Sequence, residues 1–524
     1  MSEATDGIAI TLYQNRFRQV AEEMGETIKR SAFSANIKER EDHSCALFNH
    51  AGEMIAQAAH IPVHLGAMPA TLNAVRARIK DFAPGDVVIV NDPYAGGTHL
   101  PDITLVSPFF HEKELAFFLV SRAHHSDVGG MTPGSMPLST EVFQEGLILP
   151  PVKLFEEGQR NEALFQVILK NTRTPHERQG DLNAQLAAHE IGGTRLKQLI
   201  AADGYPQLKR MAKVLLDYAE EKVGAALSAW PKGEATFSDN ITIPGTSKSA
   251  AIHCHLCIDA SGIVVDFTGT DDQVMGPINA VKSIVDSAVF YVCRTLWPAS
   301  IPHNGGAHRP VQIKTRQGSL LDARSPAGVV GGNVETSQRI VDVLYGAFAQ
   351  LLPEKVPAAS QGTMNNLTIG GLDHDGNPYT YYETIGGGHG AHALGEGLSG
   401  RQSHMTNTRN TPIEALEQAY PFWIETYALR ENSGGMGKYQ GGDGLARTYV
   451  FEKEAFVTLF SSRRRQAPYG LTGGAPGQVG NQSKVNSKGE TEPLPDSFTL
   501  TFFPGEKLQI QTPGGGGFGT EESP

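Results

Sequence analysis

Apolar residues recur with helical spacing near the start of the chain, and this periodicity predicts an amphipathic helix over residues 11–31. One face of that helix carries Phe17, Val20, Ala21, Met24 and Ile28. Thr11 and Gln14 are spaced for a capping box at its first turn. Similar spacing predicts further helices over 69–82, 181–201, 205–227, 284–296 and 333–352.

Short apolar runs bounded by turn residues predict strands over 87–90, 103–110 and 115–123. The last two are joined by the polar sequence HEKE, 111–114, so we expect a β-hairpin. Beyond about residue 230, apolar and polar residues alternate along the chain and turn residues become frequent. The pattern predicts a multi-lobed mixed α/β (α+β) fold with three parts. These are a helical and β-hairpin N-terminal lobe over 1–230, a β-rich middle region over 231–330, and a mixed, then β-rich and glycine-rich, region over 331–524.

Composition and charge disfavour some classes of partner and indicate a cellular compartment. The 524 residues have a formal net charge of -12, which disfavours nucleic acid and anionic membranes as partners. The first residues lack a basic and then apolar signal pattern, and no apolar run reaches the ~18–20 residues of a membrane span. Only 4 cysteines are present. We therefore expect a cytoplasmic protein.

The fragment HCHLC, 253–257, has the residue types of a zinc site. Its neighbours Ile252, Leu256 and Ile258 alternate as one face of a strand, which would point Cys254 and Cys257 to opposite faces. No second CxxC pair is present. We therefore interpret this segment as a strand and not as a metal site.

Aspartate and histidine crowd into NDPYAGGTHLPD, 91–102, and HHSDVGG, 124–130. A hairpin centred near Lys113 sets Asp102 opposite His124, with their Cβ atoms ~4.5–5.5 Å apart. The flexible approach through Gly96 and Gly97 lets His99 turn toward the same point. Asn91 and Asp92 are expected to shape the turn. A register slip of one residue would substitute His125 for His124.

Two imidazoles and a carboxylate suit Zn²⁺, Mn²⁺ or Fe²⁺ better than Ca²⁺ or Mg²⁺. A site with three protein ligands also leaves a position for water and lowers its pKa. The alternative from spacing alone is structural, in which His99 and Asp102 cap a turn and His124 satisfies a strand end.

Several long strings resemble the hydantoinase B/oxoprolinase family across nearly the whole chain. They are KEREDHSCALF (38–48), NDPYAGGTHLPD, RAHHSDVGG (122–130), GGNVETSQRIVDVLYGA (331–347), SQGTMNN (360–366), ETIGGGHGA (383–391), HMTNTRNTPIEALE (404–417), ENSGGMGKYQGGDGLAR (431–447) and TPGGGGFG (512–519). The family includes subunits of ATP-dependent hydantoinases and caprolactamase, and the corresponding part of 5-oxoprolinases. Acetone and acetophenone carboxylases are more distant relatives.

The resemblance implies a metal site of Asp42, His99, Asp102 and His124, holding Zn²⁺ or alternatively Mn²⁺. Asp42 rests on the resemblance alone, and by chemistry its neighbours Glu41 and His43 are equally suitable. The resemblance also implies a hydantoinase A-type partner subunit that binds ATP and Mg²⁺, in an (αβ)2 heterotetramer. In agreement, the sequence has no GxxxxGK[ST] phosphate loop.

The implied function is ATP-dependent hydrolysis of a cyclic amide such as a hydantoin, 5-oxoproline or a lactam. His125 and Asp127 are candidate catalytic residues for proton transfer or orientation, with a loop-stabilising hydrogen-bond pair as the alternative. Arg40 and Arg122 could bind a phosphate or carboxylate, or pair with nearby acids. Two other functions stay open: a subunit of a ketone carboxylase, for which bicarbonate would be a co-substrate, and a non-catalytic scaffold for the ATP-binding subunit.

Overall fold

The computed structural model describes residues 7–58, 61–64 and 66–520, and these form a mixed α/β fold, as the sequence predicts. The helices are α1 (Gly7–Ser31), α2 (Ala35–Lys38), α3 (Ala67–Arg78), α4 (Glu162–Lys170), α5 (Pro175–Asp203), α6 (Tyr205–Ser228), α7 (Lys282–Leu296), α8 (Ser337–Phe348) and α9 (Ile413–Ala419). A π-helical turn, Gly332–Thr336, leads directly into α8.

The first eleven strands belong to the N-terminal and middle parts of the chain. They are β1 (His43–Asn49), β2 (Met54–Ala58), β3 (Val87–Val90), β4 (Asp102–His111), β5 (Glu114–His124), β6 (Val152–Glu156), β7 (Gln159–Arg160), β8 (Gly233–Thr242), β9 (Ser249–Ile258), β10 (Ile263–Asp266) and β11 (Val311–Lys314). Within the described residues they form a 7-stranded sheet, β2-β1-β5-β4-β3-β6-β7, and a 4-stranded sheet, β11-β10-β9-β8.

The remaining strands follow α8. They are β12 (Asn366–Leu372), β13 (Pro378–Glu383), β14 (Phe422–Arg430), β15 (Gly444–Phe451), β16 (Ala455–Phe460), β17 (Asn481–Val485), β18 (Thr491–Pro493), β19 (Phe498–Phe502) and β20 (Lys507–Gln511). Within the described residues they form a 4-stranded sheet, β13-β12-β16-β19, and a 5-stranded sheet, β14-β15-β20-β17-β18. One apolar cluster joins the two sheets, with Leu367 and Ile369 from the first and Tyr449 and Ile510 from the second.

The hairpin of β4 and β5 lies at the centre of the 7-stranded sheet, and its register confirms the predicted pairing of Asp102 with His124. Side chains alternate along β5 between two apolar clusters. Phe117 and Leu119 pack with helices α1 and α5, whereas Phe118 and Val120 pack on the face that α3 covers. His124 continues the second series, so the strand period directs it to the α3 side.

The predicted helices are present, with shifted ends. Helix α1 is already helical at Gly7, and the Thr11 hydroxyl donates to the Gly7 carbonyl inside the helix. The predicted capping box of Thr11 and Gln14 is therefore wrong. The helix predicted over 333–352 is divided between the π-helical turn and α8.

The interpretation of HCHLC as a strand is confirmed, because Ser249–Ile258 forms β9 with Cys254 buried and Cys257 partly exposed. The three-part division of the chain stays a prediction. One hydrophobic cluster runs from Ile61 to Phe460, across both proposed boundaries, through helices α7 and α8. No helix among the described residues is both long and apolar enough to cross a membrane.

Candidate metal centre

Three donor atoms converge at the open end of the β4–β5 hairpin. His99 Nε2 lies 3.1 Å from Asp102 Oδ1 and 3.2 Å from His124 Nδ1, and the last two atoms are 3.3 Å apart. All three residues are buried, and among the described residues they are the group of histidine, cysteine and carboxylate side chains arranged to hold a metal ion. The sequence predicted this trio from strand pairing and turn flexibility.

The turn that precedes β4 places His99 by hydrogen bonds of its own. Asn91 donates to the carbonyls of Leu100 (2.8 Å) and Leu147 (2.9 Å), and Asp92 accepts from the Tyr94 backbone N–H. Gly96 has φ +79°, and a Cβ there would lie 2.5 Å from the Ala70 carbonyl oxygen. The turn therefore requires glycine at this position, and the predicted structural role of Asn91 and Asp92 is confirmed.

The donor geometry fits a divalent ion. Ligand atoms at ~2.0–2.1 Å from a tetrahedral ion are about 3.3 Å from each other, close to the three observed separations. Asp102 Oδ1 is buried and accepts no hydrogen bond from the described residues. Such an oxygen is costly to bury unless it binds something, and a cation satisfies it together with the two ring nitrogens.

The other oxygen of Asp102 is held by residues that the sequence pattern does not predict. Thr98 Oγ1 donates to Asp102 Oδ2 (2.5 Å), and His64 Nε2 lies 3.5 Å from the same oxygen. His64 Nδ1 in turn lies 3.1 Å from Ser44 Oγ. These contacts orient the carboxylate so that Oδ1 faces the two histidines. Nothing in the local pattern around His64 points to this role.

The electrostatics give the protonation states that metal ligands need. Burial would raise the pKa of the Asp102 carboxyl, but the His99 and His64 imidazoles outweigh it and hold that pKa well below its usual range. Burial lowers the pKa of His124, against the opposing effects of Asp102 and Asp42. An ionised carboxylate beside a neutral imidazole is the combination that binds a cation.

Asp42 lies at the edge of this centre. Its backbone carbonyl accepts from the His124 N–H (3.0 Å), and its side chain lines the same cavity as Asp102 and His124. Glu41 and His43, the two alternatives to Asp42, make contacts away from the donor group. Glu41 pairs with Lys29 and Arg409, and His43 Nε2 lies 3.0 Å from the Gly25 carbonyl oxygen. As a metal ligand, Asp42 stays a prediction.

His125 follows the strand alternation to the opposite face, where its Nε2 lies 3.0 Å from Gln185 Oε1 on α5. Burial lowers the pKa of His125 to about 3.

Asp127 forms a salt bridge with Arg173 (2.9 Å) and accepts the N–H groups of Gly129 and Gly134. The structure therefore does not bring His125 and Asp127 into the donor group, and their contacts are those of residues that hold a loop. Their catalytic role stays a prediction.

Arg40 and Arg122 pair with threonines instead of acids. Arg40 is fully buried and donates to the hydroxyls of Thr384 and Thr408, both at 3.0 Å. Arg122 donates to Thr104 (2.9 Å) and Thr71 (2.6 Å), and burial lowers its pKa to about 10. No carboxylate among the described residues lies within salt-bridge distance of either guanidinium.

The C-terminal part of the chain covers the donors. The Tyr382 ring stacks on His124 at 4.6 Å and 10°, and the Arg40 guanidinium lies 4.7 Å from the centre of the same ring. A narrow cavity of about 20 Å³, near the space of one water molecule, lies between the donor residues and this C-terminal part of the chain. Its walls are Asp42, Ile61, Val63, His64, Asp102, His124, Asn333, Val334, Met364, Tyr382, Thr384, Met405, Thr406 and Thr408.

Comparison with known proteins identifies the family of the chain. The family profile described as "Hydantoinase B/oxoprolinase" matches residues 6–521. The chain belongs to this family. This member of the hydantoinase B/oxoprolinase family is 40% identical to "5-oxoprolinase 1" of Arabidopsis thaliana, over 98% of its own length and 42% of that protein's. The chain thus spans about two-fifths of the length of that relative.

Other members match along most of their length. The chain is 30% identical to the putative B-type subunit of a D-/L-hydantoinase from Pseudomonas sp. (strain NS671), over 98% of this chain and 90% of that protein. Among solved structures, the ATP-dependent caprolactamase from Pseudomonas jessenii superposes with a TM-score of 0.93 and 28% identity, covering 99% and 92% of the two chains. Acetone carboxylase shares the fold, with a TM-score of 0.90 and 19% identity over 98% and 76%.

Proposed function

We propose that this chain is the metal-containing subunit of an ATP-dependent cyclic amide hydrolase that opens a lactam, hydantoin or 5-oxoproline ring. The observation that carries the proposal is the triangle of His99, Asp102 and His124, in a family whose relatives are named oxoprolinase, hydantoinase and caprolactamase. Asp42 is the proposed fourth ligand, Zn²⁺ the proposed metal and Mn²⁺ the alternative.

ATP would be bound outside this chain. The sequence has no GxxxxGK[ST] loop, the hydantoinase relative is named as one subunit of its enzyme, and the oxoprolinase relative extends well beyond the matched part. We propose a hydantoinase A-type subunit as the partner that holds ATP and Mg²⁺, in an (αβ)2 heterotetramer.

The coupling to ATP follows from the chemistry of ring opening. Hydrolysis of an unstrained cyclic amide leaves its amine and carboxylate tethered, so their high effective concentration favours reclosure. Phosphorylation of the amide oxygen by the partner makes the ring carbon more electrophilic and provides a leaving group. Water then adds to that carbon and the C–N bond breaks, which leaves a free amine and an acyl phosphate. A second water hydrolyses the acyl phosphate and releases phosphate and the carboxylate of the ring-opened product.

The residues of this chain would prepare the site for that step. Thr98 and His64 hold Asp102 in one orientation, and Tyr382 holds the ring plane of His124. Apolar side chains of the cavity wall, including Val63, limit access of other water molecules. A divalent ion bound here would supply a Lewis acid and lower the pKa of water toward ~7.

His125 and Asp127 keep a proposed supporting role. His125 is adjacent to His124, and its bond to Gln185 fixes the end of β5 against α5. Asp127 fixes the loop after β5 by its salt bridge with Arg173. Direct proton transfer by either residue would require a substrate to reach the α5 side of the strand.

A ketone carboxylase is the second candidate, because acetone carboxylase has the same fold. In that reaction bicarbonate would be a co-substrate and a carbon–carbon bond would form. The 19% identity supports the fold alone, whereas the caprolactamase match is both more similar in sequence and more complete over its own chain. A scaffold without catalytic function is the third candidate.

Co-expression with an ATP-binding hydantoinase A-type subunit tests these candidates together. The purified complex would be screened with cyclic amides and with ketones, each with and without bicarbonate, for substrate-dependent ADP release and for product. We expect ADP release and ring opening with a cyclic amide in the absence of bicarbonate. ADP release only with ketone plus bicarbonate would overturn the assignment, and full turnover after His99→Ala would favour the scaffold.

A further inference from the structure

Asn333 places its amide group beside the metal centre. Its Nδ2 lies 3.1 Å from His99 Nε2, the same ring nitrogen that contacts Asp102 and His124. The residue is only 4% exposed and lines the cavity together with Asp42 and Asp102. Its Oδ1 has no hydrogen-bond partner among the described residues.

This contact competes with metal binding. A neutral imidazole nitrogen has one lone pair, so the pair of His99 Nε2 serves either the Asn333 amide or a metal ion. With the ion bound, the N–H groups of Asn333 lose their acceptor while its oxygen still lacks a donor. A buried amide left unpaired in this way is costly.

Rotation of the amide by 180° removes the conflict at His99 Nε2, because the oxygen and nitrogen of an amide occupy nearly equivalent positions. Oδ1 would then lie about where Nδ2 lies now, 3.1 Å from His99 Nε2. That separation matches the spacing of the three donors described above. The oxygen would therefore lie at a distance from His99 Nε2 that is typical of two ligands of one ion.

The backbone that presents Asn333 is tightly fixed. Asn333 is the second residue of the π-helical turn Gly332–Thr336, and such turns are frequent at functional sites. Gly332 is pressed against the chain, since a Cβ there would lie 1.9 Å from the Asn279 carbonyl oxygen. Glu335 anchors the turn by accepting from Met364 N and Asn366 Nδ2, both at 3.0 Å.

We propose that Asn333 Oδ1 is an additional ligand of the divalent ion held by His99, Asp102 and His124. This inference rests on the metal site of the proposed function. A neutral carbonyl oxygen added to two imidazoles and the aspartates gives an oxygen-rich set of more than four ligands. Such a set is more typical of Mn²⁺, the alternative metal of the proposed function, than of four-coordinate Zn²⁺, so this inference changes the preferred metal from Zn²⁺ to Mn²⁺.

The test measures metal binding by the purified full chain, without substrate or ATP. Metal-free wild type, Asn333→Leu and Asn333→Asp would each be titrated with Mn²⁺ and with Zn²⁺ by calorimetry. We expect Asn333→Leu to weaken Mn²⁺ binding by about 10–100-fold and Zn²⁺ binding by less. Asn333→Asp keeps an oxygen in place and adds a charge, so it should bind Mn²⁺ at least as tightly as wild type.

Asn304→Leu is the matched control, because Asn304 is an equally buried amide that bonds to Leu215 and Gly306 away from the cavity. Its metal affinities should equal those of wild type. Thermal unfolding of each metal-free variant checks the fold. If Asn333→Leu does not fold, Asn333→Ser replaces it, because serine is too short to reach the ion and should bind Mn²⁺ weakly.

Two results would overturn the proposal. The first is Mn²⁺ binding by Asn333→Leu (or its serine replacement) as tight as that of wild type. The second is a loss of affinity in Asn333→Asp equal to that of the leucine variant, which would mean that a side-chain oxygen at this position does not bind the ion. Failure of the wild type itself to bind either ion would instead refute the metal site of the proposed function.

Discussion

Asp102 and His124 face each other across the open end of the β4–β5 hairpin, with Asp102 Oδ1 3.3 Å from His124 Nδ1. The pairing follows from the period of the two strands and the short turn between them. Thr98 donates a hydrogen bond to the other oxygen of the carboxylate, and the Tyr382 ring stacks on the imidazole. One cross-strand pair thus provides two of the proposed ligands, already oriented toward a common point.

Replacement of His99 by alanine should abolish coupled ring opening. In the complex with the ATP-binding subunit, we expect the turnover of cyclic amide to fall by about 100-fold or more, because the metal contributes several kcal/mol. The measurement is ring-opened product per unit time, with assembly checked by size-exclusion chromatography. His255→Ala, on the exposed side of β9, should keep wild-type turnover.

Tyr382 should affect metal affinity through its ring and not its hydroxyl. The ring stacks on His124, whereas the hydroxyl donates to Asn366 Oδ1 at 2.9 Å. We therefore expect Tyr382→Leu to weaken metal binding by about 10-fold, and Tyr382→Phe to stay near wild type. Tyr381→Leu is a suitable control, since that neighbouring ring packs on Tyr420 instead. Equal metal affinities for Tyr382→Leu and Tyr381→Leu would argue against this role.

Gly96→Ala should destabilise the protein through both strain and steric overlap. Alanine at φ +79° costs ~1–2 kcal/mol, and its Cβ would also lie 2.5 Å from the Ala70 carbonyl oxygen. Gly376 has φ +86° and nothing within 4 Å of an added Cβ, so Gly376→Ala isolates the strain. Urea unfolding should show the larger loss of stability for Gly96→Ala, together with weaker metal binding. Equal losses of stability would contradict the close approach of Gly96 to α3.

Glu145 should make stability depend on pH. Burial raises the pKa of its carboxyl from 4.5 to about 7, so the native state retains a proton that the unfolded state has released between these values. The contribution of this carboxyl to the free energy of unfolding is complete below about pH 4.5. It is lost as the pH rises through about 7, which lowers the free energy of unfolding by on the order of 3 kcal/mol. The N–H groups of Val329 and Val330 donate to Oε1, which glutamine retains.

Glu145→Gln should accordingly be more stable than wild type at pH 8, and the difference should shrink toward pH 5. Thermal unfolding of both proteins across this range measures it. A difference that does not change between pH 5 and pH 8 would mean that the carboxyl titrates at its ordinary pKa in the native state.

The sequence predicted the parts of the site that depend on local rules. The pairing of Asp102 with His124 follows from strand alternation, and the delivery of His99 follows from turn chemistry over a few residues. His64, Tyr382 and Asn333 were missed because they reach the cavity by long-range packing. Asn333 lies 234 residues from His99 in the chain, in a π-helical turn within a segment that periodicity alone predicts to be ordinary helix.

Metal content of the purified chain is the most direct test of a metal ion bound by His99, Asp102 and His124. Wild type and His124→Ala, each expressed in medium supplied with zinc and manganese, would be analysed by elemental mass spectrometry after gel filtration. We expect about one tightly bound divalent ion per wild-type chain and almost none in the folded His124→Ala variant. A wild-type chain without bound metal, or a variant that retains the full amount, would contradict the proposed metal site.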